Sequence, residues 1–150
     1  MRTSKFRPPV AVAALALAAA LLAATAGTPF AEGPNDIMII ANKSVAASKI
    51  SADELKAIFL RKKESFAGSK VVPINAKAGS PLRRAFQKRV VEMDGNNEAS
   101  YWEQQKIKTG LTPPSEFAGT VKAVFSVKGS VGYCFRSEYK EGVVKVLLVL

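Results

Sequence analysis

The stretch "NAKAGSPLRRAF", Asn75 to Phe86, gathers the residue types best suited to chemistry in this chain. A Gly-Ser turn leads into Pro81 at a helix start, with Lys77 before it and Arg83 and Arg84 after it. The first amides of a helix have no acceptor within the helix, and the helix dipole adds positive potential there. Such a junction can hold a small oxyanion. The candidate anion-binding residues are therefore Lys77, Gly79, Ser80, Leu82, Arg83 and Arg84. The same pattern also has a purely structural use. Ser followed by Pro is a standard N-cap and first helical position, where the hydroxyl satisfies an amide of its own helix. A hydroxyl that accepts from an amide can still donate its proton, so both roles stay open.

Other chemistry is poorly supplied. Histidine is absent, which removes Ser-His and Cys-His nucleophiles and His-based metal sites. The acids are scattered without a convincing pair, so no enzyme, metal or cofactor is expected. Cys134 is the single cysteine and cannot form an internal disulfide. Its apolar surroundings, "SVGYCF", mark it as a buried, inert thiol. Asn42, Lys43 and Ser44 in "IANKSV" read as a plain strand-end turn. Tyr101, Trp102 and Tyr133 are aromatics that could line a partner surface, but their helical or strand spacing favours core packing. "RKK", Arg61 to Lys63, complements a helix C-terminus.

The N-terminus reads as a signal peptide over residues 1–31. Arg2, Lys5 and Arg7 form a basic segment, Val10 to Ala24 an apolar core, and small residues permit cleavage after Ala26 or near Ala31. About 15 apolar residues fall short of the ~20 that span a bilayer. No cysteine stands near the cleavage site, so a lipoprotein is excluded, and a soluble periplasmic protein is expected. From Glu32 onward 19 basic residues face 12 acids, a net charge of +7. That balance favours anionic partners, and export argues against nucleic acid.

The remainder, 32–150, reads as one domain. "DIMIIAN" is a buried strand, and "SADELKAIFL" a helix with a Ser51–Glu54 capping box and Leu55, Ile58 and Phe59 on one face. "GSKVVPIN" is a second strand, with Pro73 suggesting an edge or bulge. Leu82, Phe86, Val90 and Met93 mark the helix after the Gly-Ser turn. "GNNEASYWEQQKIKTG" is a further helix, "LTPPSEF" a rigid loop, and "GTVKAVFSVKG" a last helix with Val121, Val124 and Phe125 inward. "SVGYCF" and "VVKVLLVL" are the closing strands. Strands alternating with helices predict an α/β fold, a small mixed sheet flanked by helices.

Taken in order, these pieces resemble one family. "ELKAIFLRKKESFAGSKVVPINAKAGSPLRRAF" is similar to the segment of periplasmic phosphate-binding proteins that runs from an "IFLGK"-type helix end to the glycine-serine ligand loop. "KGSVGYCF" resembles the Gly-x-x-Gly-Tyr strand of the same lobe, and "YWEQQKIKTGLTPPSEF" resembles the signature of a small exported subgroup. Full-length members have two lobes around the ligand, so the resemblance implies a single periplasmic-binding-protein-like lobe here. In the family the loop reads Gly-Ser-Gly-Thr, with Arg and Asp three and one residues before the first Gly. Gly79 and Ser80 match. Pro81, Leu82, Ala76 and Ala78 replace the other four, removing an amide, a hydroxyl, a guanidinium and a carboxylate.

The resemblance implies an exported solute-binding protein for phosphate or another small oxyanion, associated with ABC transport through an inner-membrane permease. In full-length members the chain crosses between lobes at the position of "IANKSV", so the resemblance also implies Asn42 and Ser44 as anion candidates at the edge of the same cleft. Half a clamshell and a depleted loop imply weak or degenerate binding. The alternative is an interaction or sensory module of the cell envelope, docking on another envelope protein.

Overall fold

A computed structural model describes residues 33–150. The signal-peptide reading lies outside the described residues. Five strands form one mixed sheet: β1 (Ile37–Ala41), β4 (Val72–Ala76), β5 (Ser115–Phe117), β6 (Ser130–Phe135) and β7 (Lys145–Val149), in the order β5-β4-β6-β1-β7. A small hairpin, β2 (Ser65–Phe66) with β3 (Ser69–Lys70), stands apart from it. β1 runs antiparallel to β6 and β7, whereas β4 is parallel to β5 and β6.

Every residue of β1 is buried, which explains why "IMIIA" shows no alternation: both faces of this strand are covered. On one face Ile37, Ile39, Val131 and Tyr133 pack with Leu55, Ile58 and Phe59 of α1 (Ala52–Phe59) and with Leu82 and Phe86 of α2 (Pro81–Phe86). On the other, Met38, Ile40, Ile74 and Cys134 pack with Ala123 and Val124 of α4 (Thr120–Ser126). Gly132 lets α4 approach, since a Cβ there would lie 2.7 Å from Val124 Cγ2 and 3.3 Å from the Ile74 carbonyl oxygen. The mixed α/β sheet flanked by helices is the expected fold.

Several boundaries differ from the sequence reading. "GSKVVPIN" divides between β3 and β4. Pro73 sits where β4 pairs only with β6, because β5 covers Ile74 to Ala76, so the missing amide meets no partner strand. "LTPPSEF" is not wholly loop: its last three residues form the edge strand β5, too short and too exposed to show a pattern. The helix bearing Leu82 passes into a π-helical turn at Gln87–Val91 and stops at Glu92, which adopts a left-handed φ of 58°. Met93 therefore falls outside it. Val124 is buried and Val121 partly buried against the core, as expected, but Phe125 points outward and is 57% exposed; α4 buries Thr120 and Ala123 beside Val124, and so short a helix offers the sheet only that narrow stripe.

Candidate functional site

β4 delivers the candidate turn. Just before it, Ala76 N donates to the Tyr133 hydroxyl at 3.1 Å, and that hydroxyl donates to Asn75 Oδ1 at 3.1 Å. The Tyr133 ring stacks on Phe86 with centroids 3.7 Å apart. Burial pushes the Tyr133 phenol up, while the neighbouring Arg83 guanidinium opposes that push. One buried tyrosine thus ties the end of β4 to α2, and the turn between them is held at both ends.

The turn runs from Lys77 to Ser80, closed by Ser80 N donating to the Lys77 carbonyl at 3.1 Å. Gly79 has φ of +74°, a conformation costly for any residue with a Cβ. Ser80 is the N-cap of α2, its Oγ accepting from Arg83 N at 3.2 Å. Both Lys77 and Arg84 are exposed, and Arg84 Nη1 donates to the Gly79 carbonyl. The turn therefore presents a hydroxyl, the orphan amide of Leu82 and two cations.

Two features work against this donor set. The Arg83 side chain is not at the turn's surface. It is buried, and its Nη2 lies 2.6 Å from Glu98 Oε1, while Gln87 Nε2 donates to the other Glu98 oxygen. Arg83 Nε and Nη1 are buried without a hydrogen-bond partner among the described residues. Only its backbone amide belongs to the turn, and Ser80 already occupies it. In addition, Glu116 of β5 accepts from Ala78 N at 3.0 Å, so a carboxylate of the chain itself sits on the loop. Sequence reasoning missed Glu98, Gln87 and Glu116. Glu98 and Trp102 are the two buried residues of α3 (Gly95–Thr109), but nothing in their spacing points to Arg83, and Glu116 carries a signal only if "SEF" is known to be a strand. A pocket of about 380 Å³ opens between the turn and α3, lined by Ala78, Gly79, Arg84, Trp102 and Glu116 among others.

Asn42 and Ser44 lie elsewhere. They follow β1 where it meets the start of β6, level with Val72, at the opposite end of β4 from Gly79. Asn42 Nδ2 donates to the carbonyls of Val124 at 2.8 Å and Phe125 at 2.9 Å. Its Oδ1 accepts from Ser44 Oγ at 2.7 Å, and Ser44 Oγ accepts from Gly129 N at 2.8 Å. Asn42 satisfies carbonyls at the end of α4, Ser44 ties Asn42 to the Gly129 amide, and the structure does not bring either residue to the Gly-Ser turn.

Tyr133 and Trp102 are buried, as core packing requires, and Tyr101 is half-buried with its hydroxyl donating to the Leu60 carbonyl at 2.9 Å. Cys134 is buried, and desolvation, aided by the charge of Glu138, pushes its thiol up to about 12. Among the described residues no cluster of His, Cys, Asp and Glu could hold a metal, and no helix is long and apolar enough to cross a membrane.

No protein-family model and no curated protein sequence matches the chain. Solved structures do. A putative phosphate ABC transporter substrate-binding protein with bound phosphate, from Clostridium perfringens, matches with TM-score 0.55 at 20% identity, over 74% of this chain and 43% of that one. An ABC-type phosphate transport receptor from Vibrio cholerae gives 0.58 at 12% identity, over 74% and 44%. PstS from Borrelia burgdorferi gives 0.58 at 12%, over 75% and 46%. The chain thus spans less than half the length of these proteins, and what it shares with them is the α/β fold of one periplasmic-binding-protein-like lobe.

Proposed function

We propose that this is an exported, non-enzymatic solute-binding protein that holds phosphate or a similar oxyanion weakly at the Lys77–Ser80 turn, in connection with ABC transport. The observation that carries the reading is the turn itself. A Gly-Ser loop at a helix start, with Arg84 across it, stands on a fold shared with a protein whose structure contains phosphate. The working residues are the Ser80 hydroxyl, the Leu82 amide, and the side chains of Arg84 and Lys77. Gly79 shapes the loop. The Arg83 side chain serves the fold, through Glu98.

Weak binding follows from the donor count. A charge-assisted hydrogen bond contributes ~1.5–3 kcal/mol when well formed, but these groups are exposed, screened and still to be ordered. A dissociation constant near 1 mM corresponds to about −4 kcal/mol, which is what two or three such contacts leave. In this reading the leader is cleaved after Ala26 or near Ala31, the domain is 32–150, and the protein works in the periplasm beside a permease. An amide chemical-shift titration with phosphate to about 10 mM at low salt tests it. Saturable shifts at Gly79, Ser80, Leu82 and Arg84 are expected. Fixed peaks there would overturn the anion site and leave an envelope interaction module as the remaining reading.

A further inference from the structure

The face of α4 turned away from the sheet is the least explained surface of the molecule. Val121 and Phe125 are one helical turn apart, and Phe125 is 57% exposed. They form one wall of a groove of about 400 Å³ whose other side is Glu138, Lys140 and Val143. On the far flank of the same helix lies a second groove of about 310 Å³ that includes Phe117 and Val127. The two grooves share Gly119 and Lys122, so together they form an elongated apolar strip across α4. Phe117 is itself 39% exposed. Two exposed phenylalanines beside partly buried valines are unusual for a solvated surface. A hydrophobic pattern that predicts burial, as at Phe125, and a structure that withholds it are together the signature of a surface made for something else.

We infer that this strip docks an acidic, amphipathic segment of a partner protein. The charge of the rim gives the sign. Lys122 and Lys140 flank the apolar wall, and the one carboxylate among the lining residues, Glu138, is held in its own turn by Phe135 N at 3.1 Å. An occupant that brings apolar residues to Phe125 and carboxylates to the two lysines is complementary on both counts. A second copy is disfavoured, because it adds the same excess of cations, +7 from Glu32 onward, to the same lysines. A bilayer could meet Phe125 on the ridge of α4 but would leave the grooves on its two flanks empty, whereas a peptide segment can fill them. The surface does not involve the Gly-Ser turn and does not depend on the anion reading.

The test titrates the protein with a synthetic amphipathic peptide of about three helical turns, leucines on one face and glutamates beside them. A companion peptide carries lysine for glutamate, and vesicles containing phosphatidylglycerol form a third arm. Saturable shifts at Val121, Lys122, Phe125, Lys140 and Val143 are expected with the acidic peptide alone. Phe125→Ser and Lys122→Glu should each weaken binding about tenfold. Both side chains are exposed, so both variants should keep the wild-type circular dichroism spectrum. The inference is overturned by no saturable shift with the acidic peptide, by equal binding of the basic one, or by insensitivity to both substitutions. It is equally overturned if Phe125 mediates vesicle binding, or if the same shifts arise from self-association on concentrating the protein without peptide.

Discussion

Ser80 carries two roles that substitution can separate. As the cap of α2 it satisfies the Arg83 amide, and Ser80→Ala should destabilise the protein by ~1 kcal/mol in urea unfolding. Aspartate caps as well as serine but is negatively charged. Ser80→Asp should therefore keep wild-type stability while losing the phosphate response of Gly79; loss of both together would make the two roles one. Arg83 is governed by a different balance. Its guanidinium is buried against Glu98, and removing one member of such a pair leaves an uncompensated charge. Arg83→Leu should cost about 3–5 kcal/mol, and the double variant with Glu98→Leu should be more stable than that single one. Equal unfolding midpoints for the two would show that the pair is not coupled. The arginines were visible in the sequence as a pair after the turn. Which of them turns inward was not, because that depends on Glu98, fifteen residues later on another helix.

At the scale of elements, the sequence was most legible where both faces of a strand are covered or a cap is explicit. β1, β6, α1 with its Ser51 cap, and the start of α2 stand where the residues place them. It was least legible where tertiary contacts decide. β5 exists only because β4 offers it a partner edge, and α4 exposes Phe125 because its contact with the sheet is narrow and close. That closeness is testable. Gly132→Ala places a methyl group 2.7 Å from Val124 Cγ2 and 3.3 Å from a backbone oxygen, and overpacking of this kind costs ~1–3 kcal/mol. A lower unfolding midpoint is expected, with partial recovery when Val124→Ala is added to make room. Recovery would fail if the sheet backbone, rather than Val124, were the main obstacle.

For the molecule as a whole, the pattern of buried groups sets a pH dependence. Burial raises the Cys134 thiol from its ordinary 9.0 to about 12 and raises Tyr133 as well. A raised folded value means that the neutral form is favoured in the folded state. The contribution of Cys134 is therefore complete below pH 9 and lost as pH climbs towards 12. Stability should fall across that range, at up to ~1.4 kcal/mol per pH unit for one such group. Cys134→Val should flatten the slope, and an unchanged slope would assign the loss to Tyr133 or to other groups. Below pH 9 the folded protein should react with a thiol reagent only as fast as it opens.

The fold was legible in outline from strand and helix order alone, because a small mixed sheet covered on both faces leaves few arrangements. The site was half legible. Gly79 and Ser80 announce a turn at a helix start, but that Asn42 caps α4, with Ser44 bracing it, instead of joining that turn follows only from the register of β1 on β6. Whether the turn still binds an oxyanion with so few donors is read from the thermal midpoint in about 10 mM phosphate against chloride of matched ionic strength. With a dissociation constant near 1 mM, phosphate should stabilise the folded protein by about 1.4 kcal/mol and raise the midpoint by several degrees, an increment that Ser80→Asp abolishes. Identical midpoints in the two salts would show that the folded protein does not hold phosphate at the turn.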